Sequence, residues 1–300
     1  MSAAMSEALP VPPSPPPAAG PRAPRRWLPL AVTVTLFAAM QGYGAVAYTG
    51  FLSAQVLLNL LIDNAFLLIV AVGMTFVILS GGIDLSVGSV VALTTMVMAA
   101  LSEHHHWPLA AIVPLVLALG AGFGALQGWL IHRFRLQPFV VTLAGMFLAR
   151  GLCYLISIDS ISIADETFAA VSQLRIGLGE GASVSLGALV GVVVLLLGVW
   201  LARGTAFGRT VYAIGGNAHS ALLMGLPVAR TTVLIYTLSG GLSALGGVVF
   251  SLYMLSGYGL HAMGLELDAI AAVVIGGTLL SGGVGSVAGT DRKSTRLNSS

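Results

Sequence analysis

Charge is scarce in this 300-residue sequence: 13 Lys and Arg and 11 Asp and Glu, 8% of the chain, against 57% apolar residues. A soluble globular domain carries about 25% charged residues, so so few charges could not solvate a water-facing fold of this size. Lysine is nearly absent. The single one, Lys293, lies in the C-terminal tail. A P-loop needs the lysine of its GK[ST] tripeptide, and Schiff-base chemistry needs a buried one. Both are excluded, so any ATP that drives this protein is held by another chain. Cysteine is reduced to Cys153, inside an apolar run, which excludes an internal disulfide and a cysteine-based metal site. The net charge of +2 forms no basic stripe, which leaves nucleic acid no electrostatic footprint. No HExxH and no Ser-His-Asp arrangement with supporting context is present. Glu103-His104-His105-His106 puts its histidines side by side rather than on one helix face, a solvated turn more than a metal site. No cofactor is expected.

What the sequence has is apolar length, with a mean hydropathy of +0.96. A bilayer core needs about 20 apolar residues per helix. Eight spans are expected, at 27–48, 55–79, 85–101, 108–131, 138–157, 184–202, 231–255 and 268–288. The fold class is therefore an all-α polytopic membrane protein. Glycine is heavy, at 38 residues; GAGFGALQG at 120–128 and GGLSALGG at 240–247 are the small-residue stripes that let membrane helices approach closely.

The two ends stand apart from this body, 27–290. Residues 1–26 hold eight of the 13 prolines, a composition that reads as a disordered or extended tail. DRKSTRLNSS at 291–300 breaks abruptly from the apolar pattern. It resembles the translation of a sequencing adapter and is set aside as non-native.

Arginine placement predicts orientation. With the N-terminus inside, Arg22, Arg25, Arg26, Arg133, Arg135, Arg203, Arg209 and Arg230 are cytosolic, and external loops hold only Arg175. Arg22–Arg26 followed by an apolar run and Ala45-Val46-Ala47 also mimics a cleavable signal peptide; a retained first helix is the expectation.

Several motifs could carry function. In VGMTFVILSGGIDLSVGSVVAL at 72–93, an apolar helix runs into Ser80-Gly81-Gly82 and a second starts near Asp84. Paired glycines end the first helix, and Asp84 or Ser86 can cap the second. The segment reads either as a capped hairpin or as a broken-helix gate on a pathway, with Ser80, Gly81, Gly82, Asp84 and Ser86 as its residues. LSGG recurs at 280–283, followed by GSVAG at 285–289, as LSGG at 79–82 is followed by GSVVA at 88–92. Each copy follows an aspartate, Asp63 or Asp268. This is either an internal repeat or shared glycine-rich composition.

Ionisable groups within membrane spans carry a functional default. Asp63 and Arg150 lie at similar depths, roughly 10–12 Å below the external surface at 1.5 Å per residue, and are expected either to pair or to be satisfied separately. Asn59, Asn64, Tyr154 and Tyr253 are candidate polar pathway residues. On the basic internal loop at 202–230, Asn217 can cap a short helix that Gly225 stops. Asn217, His219, Ser220, Ala221, Leu222, Met224 and Gly225 then form either surface filler or a docking element for a soluble partner.

GMTFVILSGGIDLSVGS at 73–89, QPFVVTLAGMFLARG at 137–151, GRTVYAIGGNAHSALLMG at 208–225 and ELDAIAAVVIGGTLLSGGVGSVAGT at 266–290 resemble membrane permeases of bacterial ABC importers for monosaccharides, of the ribose/galactose type. The likeness covers about residues 50–290 and is greatest to a galactofuranose importer permease. It implies a multi-pass permease of the bacterial inner membrane. A cytosolic ATP-binding subunit, an external sugar-binding protein and a second permease subunit, the same or different, would be its partners, with membrane lipid around it. It also implies that the 217–225 helix couples to the ATPase and that one or two further spans follow. The alternative is a proton-coupled secondary transporter working through Asp63 and Arg150.

Overall fold

In an apolar chain the helix breakers decide the architecture. The computed structural model describes residues 28–48, 53–179 and 182–287. The proline-rich tail at 1–26, with its three arginines, and the tail at 291–300 lie outside the described residues. The elements are α1 (Leu28–Ala47), α2 (Ala54–Asp63), α3 (Ala65–Leu79), α4 (Val87–Glu103), α5 (Leu109–Phe134), α6 (Pro138–Ile156), β1 (Ile161–Ser162), α7 (Glu166–Ser172), β2 (Arg175–Gly179), β3 (Ala182–Ser185), α8 (Leu186–Gly204), α9 (Ala206–Leu223), α10 (Val228–Met254), β4 (Ser256–Gly257) and α11 (Leu265–Ile275). Strands β2 and β3 form an antiparallel hairpin, and β1 pairs antiparallel with β4.

Among the described residues, α5, α6, α8 and α10 are each long and apolar enough to cross a membrane, and the bent pair α2–α3 makes a fifth candidate. The expected span at 27–48 is helical as α1, and the remaining three take different forms. The span at 55–79 breaks at Asn64, and its halves meet at 57°. Asn64 leaves the helical conformation at φ −108° and ψ 12°, while its amide donates to the Leu60 carbonyl at 2.9 Å, the competition with the helix ladder that short polar side chains offer. The span at 85–101 becomes α4, only 17 residues long. The span at 268–288 is helical only to Ile275. Gly277, at φ +94°, ends it, and the chain turns back through Leu279–Val284.

Apolar character on every side predicts a buried helix, and α3 fits: 11 of its 15 residues are buried. Helix α4 is nearly as enclosed. Helix α10 sits at the centre, packed on α5, α3 and α4. Its contact with α5 is made by the two glycine stripes. Gly120, Gly124 and Gly128, spaced one turn apart, face Tyr236, Gly240 and Ala244. A Cβ on Gly124 would overlap the Tyr236 carbonyl, and one on Gly240 the Gly120 carbonyl, so the backbones touch as small-residue interfaces allow. Cys153 is buried beside Ala92 and Met96 of α4.

Candidate functional site

The 80–86 linker is exposed at Gly81 and ends buried at Ser86. Helix α3 ends as its sequence dictates: Ser80 donates its hydroxyl to the Val77 carbonyl at 2.7 Å, Gly81 takes φ +82°, and the Gly82 N–H returns to Val77 at 3.0 Å. The chain then runs inward. Asp84 is 1% exposed. Its Oδ1 accepts from the Ser86 N–H at 2.9 Å and the Ser86 hydroxyl at 2.7 Å, and its Oδ2 accepts from the Ser239 hydroxyl of α10 at 2.7 Å. The Ser86 hydroxyl also reaches Gln127 Oε1 of α5, at 3.2 Å, and Thr142 of α6 donates to the Ile83 carbonyl at 3.2 Å. This corrects the capping expectation. Ser86 stands at the N-cap position of α4 but makes no side-chain cap, because its hydroxyl is turned to Asp84, and Asp84 bonds Ser86 rather than the helix amides. Gln127, Tyr236 and Ser239 lie seven, eight and 11 residues inside the ends of α5 and α10, roughly 10–17 Å deep. The result is a polar cluster buried among four helices, with Gln127, Ser239 and Tyr236 absent from the expected site. One signal pointed to the α10 members: Tyr236, Ser239, Gly240 and Ser243 recur at helical spacing on one face.

The two LSGG turns meet. The Gly283 N–H donates to the Leu79 carbonyl at 2.9 Å, and a Cβ on Gly282 would sit 2.7 Å from the Gly81 nitrogen. Gly215 of α9 closes the junction: a Cβ there would overlap both the Leu79 carbonyl and the Gly283 nitrogen. Tyr212 donates to the Gly285 carbonyl at 3.0 Å and Arg203 to the Ser286 hydroxyl at 2.9 Å, fixing the second turn to α8 and α9.

Beyond Gly215 the expected loop is mostly helical. Helix α9 is two helices joined at a kink where Asn217 is extended, at φ −163° and ψ 108°. The Asn217 side chain accepts from the Ser220 N–H at 2.8 Å, an N-cap. Gly225, at φ +76°, closes the far end, with the Leu226 N–H on the Ala221 carbonyl at 3.1 Å. Ala221 is buried, whereas His219, Ser220, Leu222, Leu223 and Met224 are exposed. The half at 206–216 escaped the sequence reading, although Thr205 caps it, accepting from the Gly208 N–H at 3.2 Å, and Phe207, Val211 and Ile214 follow at helical spacing.

Asp63 and Arg150 do not pair. Arg150 donates to the carbonyls of Gly259 at 2.6 Å and His261 at 2.8 Å, while exposed Asp63 accepts from the Tyr253 hydroxyl at 3.2 Å. Depth along the sequence matched, but the helices present the two groups to different neighbours. Asn59 accepts from Gln55 at 2.8 Å within α2. Asn59, Asn64, Tyr154 and Tyr253 are all exposed, and none reaches the cluster around Asp84. His261 lies beyond the end of α10, half-buried, its ring against Phe250 and Tyr258 and its Nδ1 3.4 Å from the Thr95 hydroxyl. Burial, then the Arg150 charge, hold its pKa below the ordinary 6.5. A hollow of about 280 Å³ between α3, α8 and α10 is lined by Val72, Phe76, Leu197, Trp200 and other largely apolar side chains.

A family profile described as "Branched-chain amino acid transport system / permease component" matches residues 56–290. The inner membrane ABC transporter permease protein YjfF of Escherichia coli K12 is 51% identical, over 89% of this chain and 80% of its own length. The fructose import permease FruG of Bifidobacterium longum is 40% identical over the same shares, 89% and 80%. The ribose import permease RbsC of Haemophilus influenzae is 37% identical over 80% of this chain and 74% of its own. No solved structure matches.

Proposed function

The chain belongs to the branched-chain amino acid transport system / permease component family, and on that premise we propose that it is the membrane subunit of an ABC importer that moves a monosaccharide by alternating access. It is a permease, not an enzyme, and its relatives carry sugar-import names. Galactofuranose is the first substrate to test. In this reading a cytosolic ATP-binding subunit docks on the capped helix at 217–225, where Leu222, Leu223 and Met224 are exposed. An external sugar-binding protein docks at the opposite end, and a second permease subunit completes the pore. The N-terminus is cytosolic.

The observation that carries the proposal is the junction at Gly215. It joins the docking helix, two residues downstream, to Leu79, the residue at which the chain enters the 80–86 segment that carries buried Asp84 and Ser86. Close-packed backbones have no slack, so a displacement of the 217–225 helix is delivered to that segment, which acts as the gate. The proton-coupled alternative relied on Asp63 acting with Arg150, and those two groups have separate partners.

Charging the tip tests the reading. Leu222→Glu with Met224→Glu is expected to abolish copurification of the ATPase and sugar uptake together, with the fold intact by thermal unfolding. Unchanged uptake in whole cells would refute the coupling role.

A further inference from the structure

Two buried donors near Asp84 have no acceptor among the described residues. Gln127 is 4% exposed and Tyr236 2%, yet neither Gln127 Nε2 nor the Tyr236 hydroxyl meets a hydrogen-bond partner. A buried unpaired donor costs about 1–3 kcal/mol, so each such group calls for an explanation. Both atoms border the linker and its supports at positions without a side chain. A Cβ on Gly82 would overlap the Tyr236 oxygen, and one on Gly145 would overlap Gln127 Nε2.

The chemistry of the missing partner follows from the donor set. An anion would meet the Asp84 carboxyl. A bare cation would meet an amide N–H and a phenol. An apolar group would leave both donors unpaired. The species that accepts from Gln127 and Tyr236 and can donate to a carboxyl is a hydroxyl oxygen. Asp84 retains capacity for it, since two oxygens offer about four acceptor sites and its side chain receives three bonds.

We propose that Gln127, Tyr236 and Asp84 form a subsite for one hydroxyl oxygen, supplied by water in the resting protein or by a polyol in transit. The polyol source rests on the permease reading; the water source does not. Tyr236 Oη and Gln127 Nε2 occupy the space that a side chain on Gly82 or Gly145 would fill, and Ser86 and Ser239 hold the carboxyl in place.

X-ray hydroxyl-radical footprinting of the purified full chain, read by mass spectrometry, tests this. Ionised water bound in place oxidises the side chain beside it, buried or not. Tyr236 should be modified several-fold faster than Phe76, which is fully buried in the apolar core. Gln127→Leu should slow the modification of Tyr236 several-fold at an unchanged melting temperature. Equal rates at Tyr236 and Phe76 would overturn the subsite, and an unaffected Tyr236 in Gln127→Leu would remove Gln127 from it. Repeating the measurement with D-galactose, D-ribose, D-xylose or D-fructose separates the sources. Protection of Tyr236 assigns the subsite to a polyol hydroxyl; labelling that no sugar changes assigns it to water. A chain that transports nothing would still show the water signal, so failure of the permease reading and failure of the subsite are distinguishable.

Discussion

Asp63 and Asp84 look alike in the sequence. Each follows an isoleucine, and each interrupts an apolar run. Asp63, well inside an expected span, read either as a partner of Arg150 or as separately satisfied, and Asp84, at a span boundary, read either as a cap or as part of a gate. Packing separates the two. Asp63 ends α2 on an exposed face and touches one tyrosine hydroxyl. Asp84 is enclosed by four helices and carries three hydrogen bonds. Position along a hydrophobic run measures distance from its ends; it says nothing of which neighbours close over the residue.

The contrast can be broken by mutation. Asp84→Ala strips the acceptor from the Ser86 N–H and the Ser239 hydroxyl and leaves the Ser86 hydroxyl only Gln127 Oε1; at about 1–3 kcal/mol per unsatisfied group it should cost at least about 2 kcal/mol in detergent unfolding followed by tryptophan fluorescence. A melting temperature within error of wild type would show that the cluster is not structural. Gly215→Val comes next. Its side chain must displace the Leu79 carbonyl, an overpacking cost of about 1–3 kcal/mol, and uptake should fall further than stability does if the junction carries motion. Asn217→Ala removes a cap worth about 1 kcal/mol, visible as faster hydrogen exchange over 218–224 with the rest of the chain unchanged. Asp63→Ala should change stability by less than about 0.5 kcal/mol, as surface substitutions do; a loss equal to that of Asp84→Ala would erase the distinction between the two aspartates.

The smallest effect is a pH dependence at the rim. The depressed pKa of folded His261 means that the unfolded chain binds the proton first. Stability should therefore decline as pH falls from the ordinary value of 6.5 toward the folded one, with no contribution above 6.5. In His261→Gln that part of the decline should vanish.

The helices of plain composition were legible. The expected 138–157, 184–202 and 231–255 appear as α6, α8 and α10 within a few residues, because a long apolar run in lipid must satisfy its backbone bonds internally. The glycine stripes at 120–128 and 240–247 were readable too, as was the cap at Asn217, since each acts through residues close in sequence. What failed to show was pairwise. Nothing local in GGIDLS says that Ser239 will face Asp84, or that Gly215 will lie on Leu79. The break at Asn64 and the early end of α11 were hidden differently: their windows are as apolar as a true span, and a single asparagine or a Gly-Gly pair decides them.

The bond between Asp84 and Ser239 spans 155 residues of chain, which puts a clock on biogenesis. At about 5–20 residues per second, the carboxyl is synthesised roughly 8–30 s before its α10 partner exists. Through that interval Ser86 alone, two residues away, is available to it, with Gln127 arriving in between. Of the groups that bond the carboxyl, the one on α10 is therefore the last to be made.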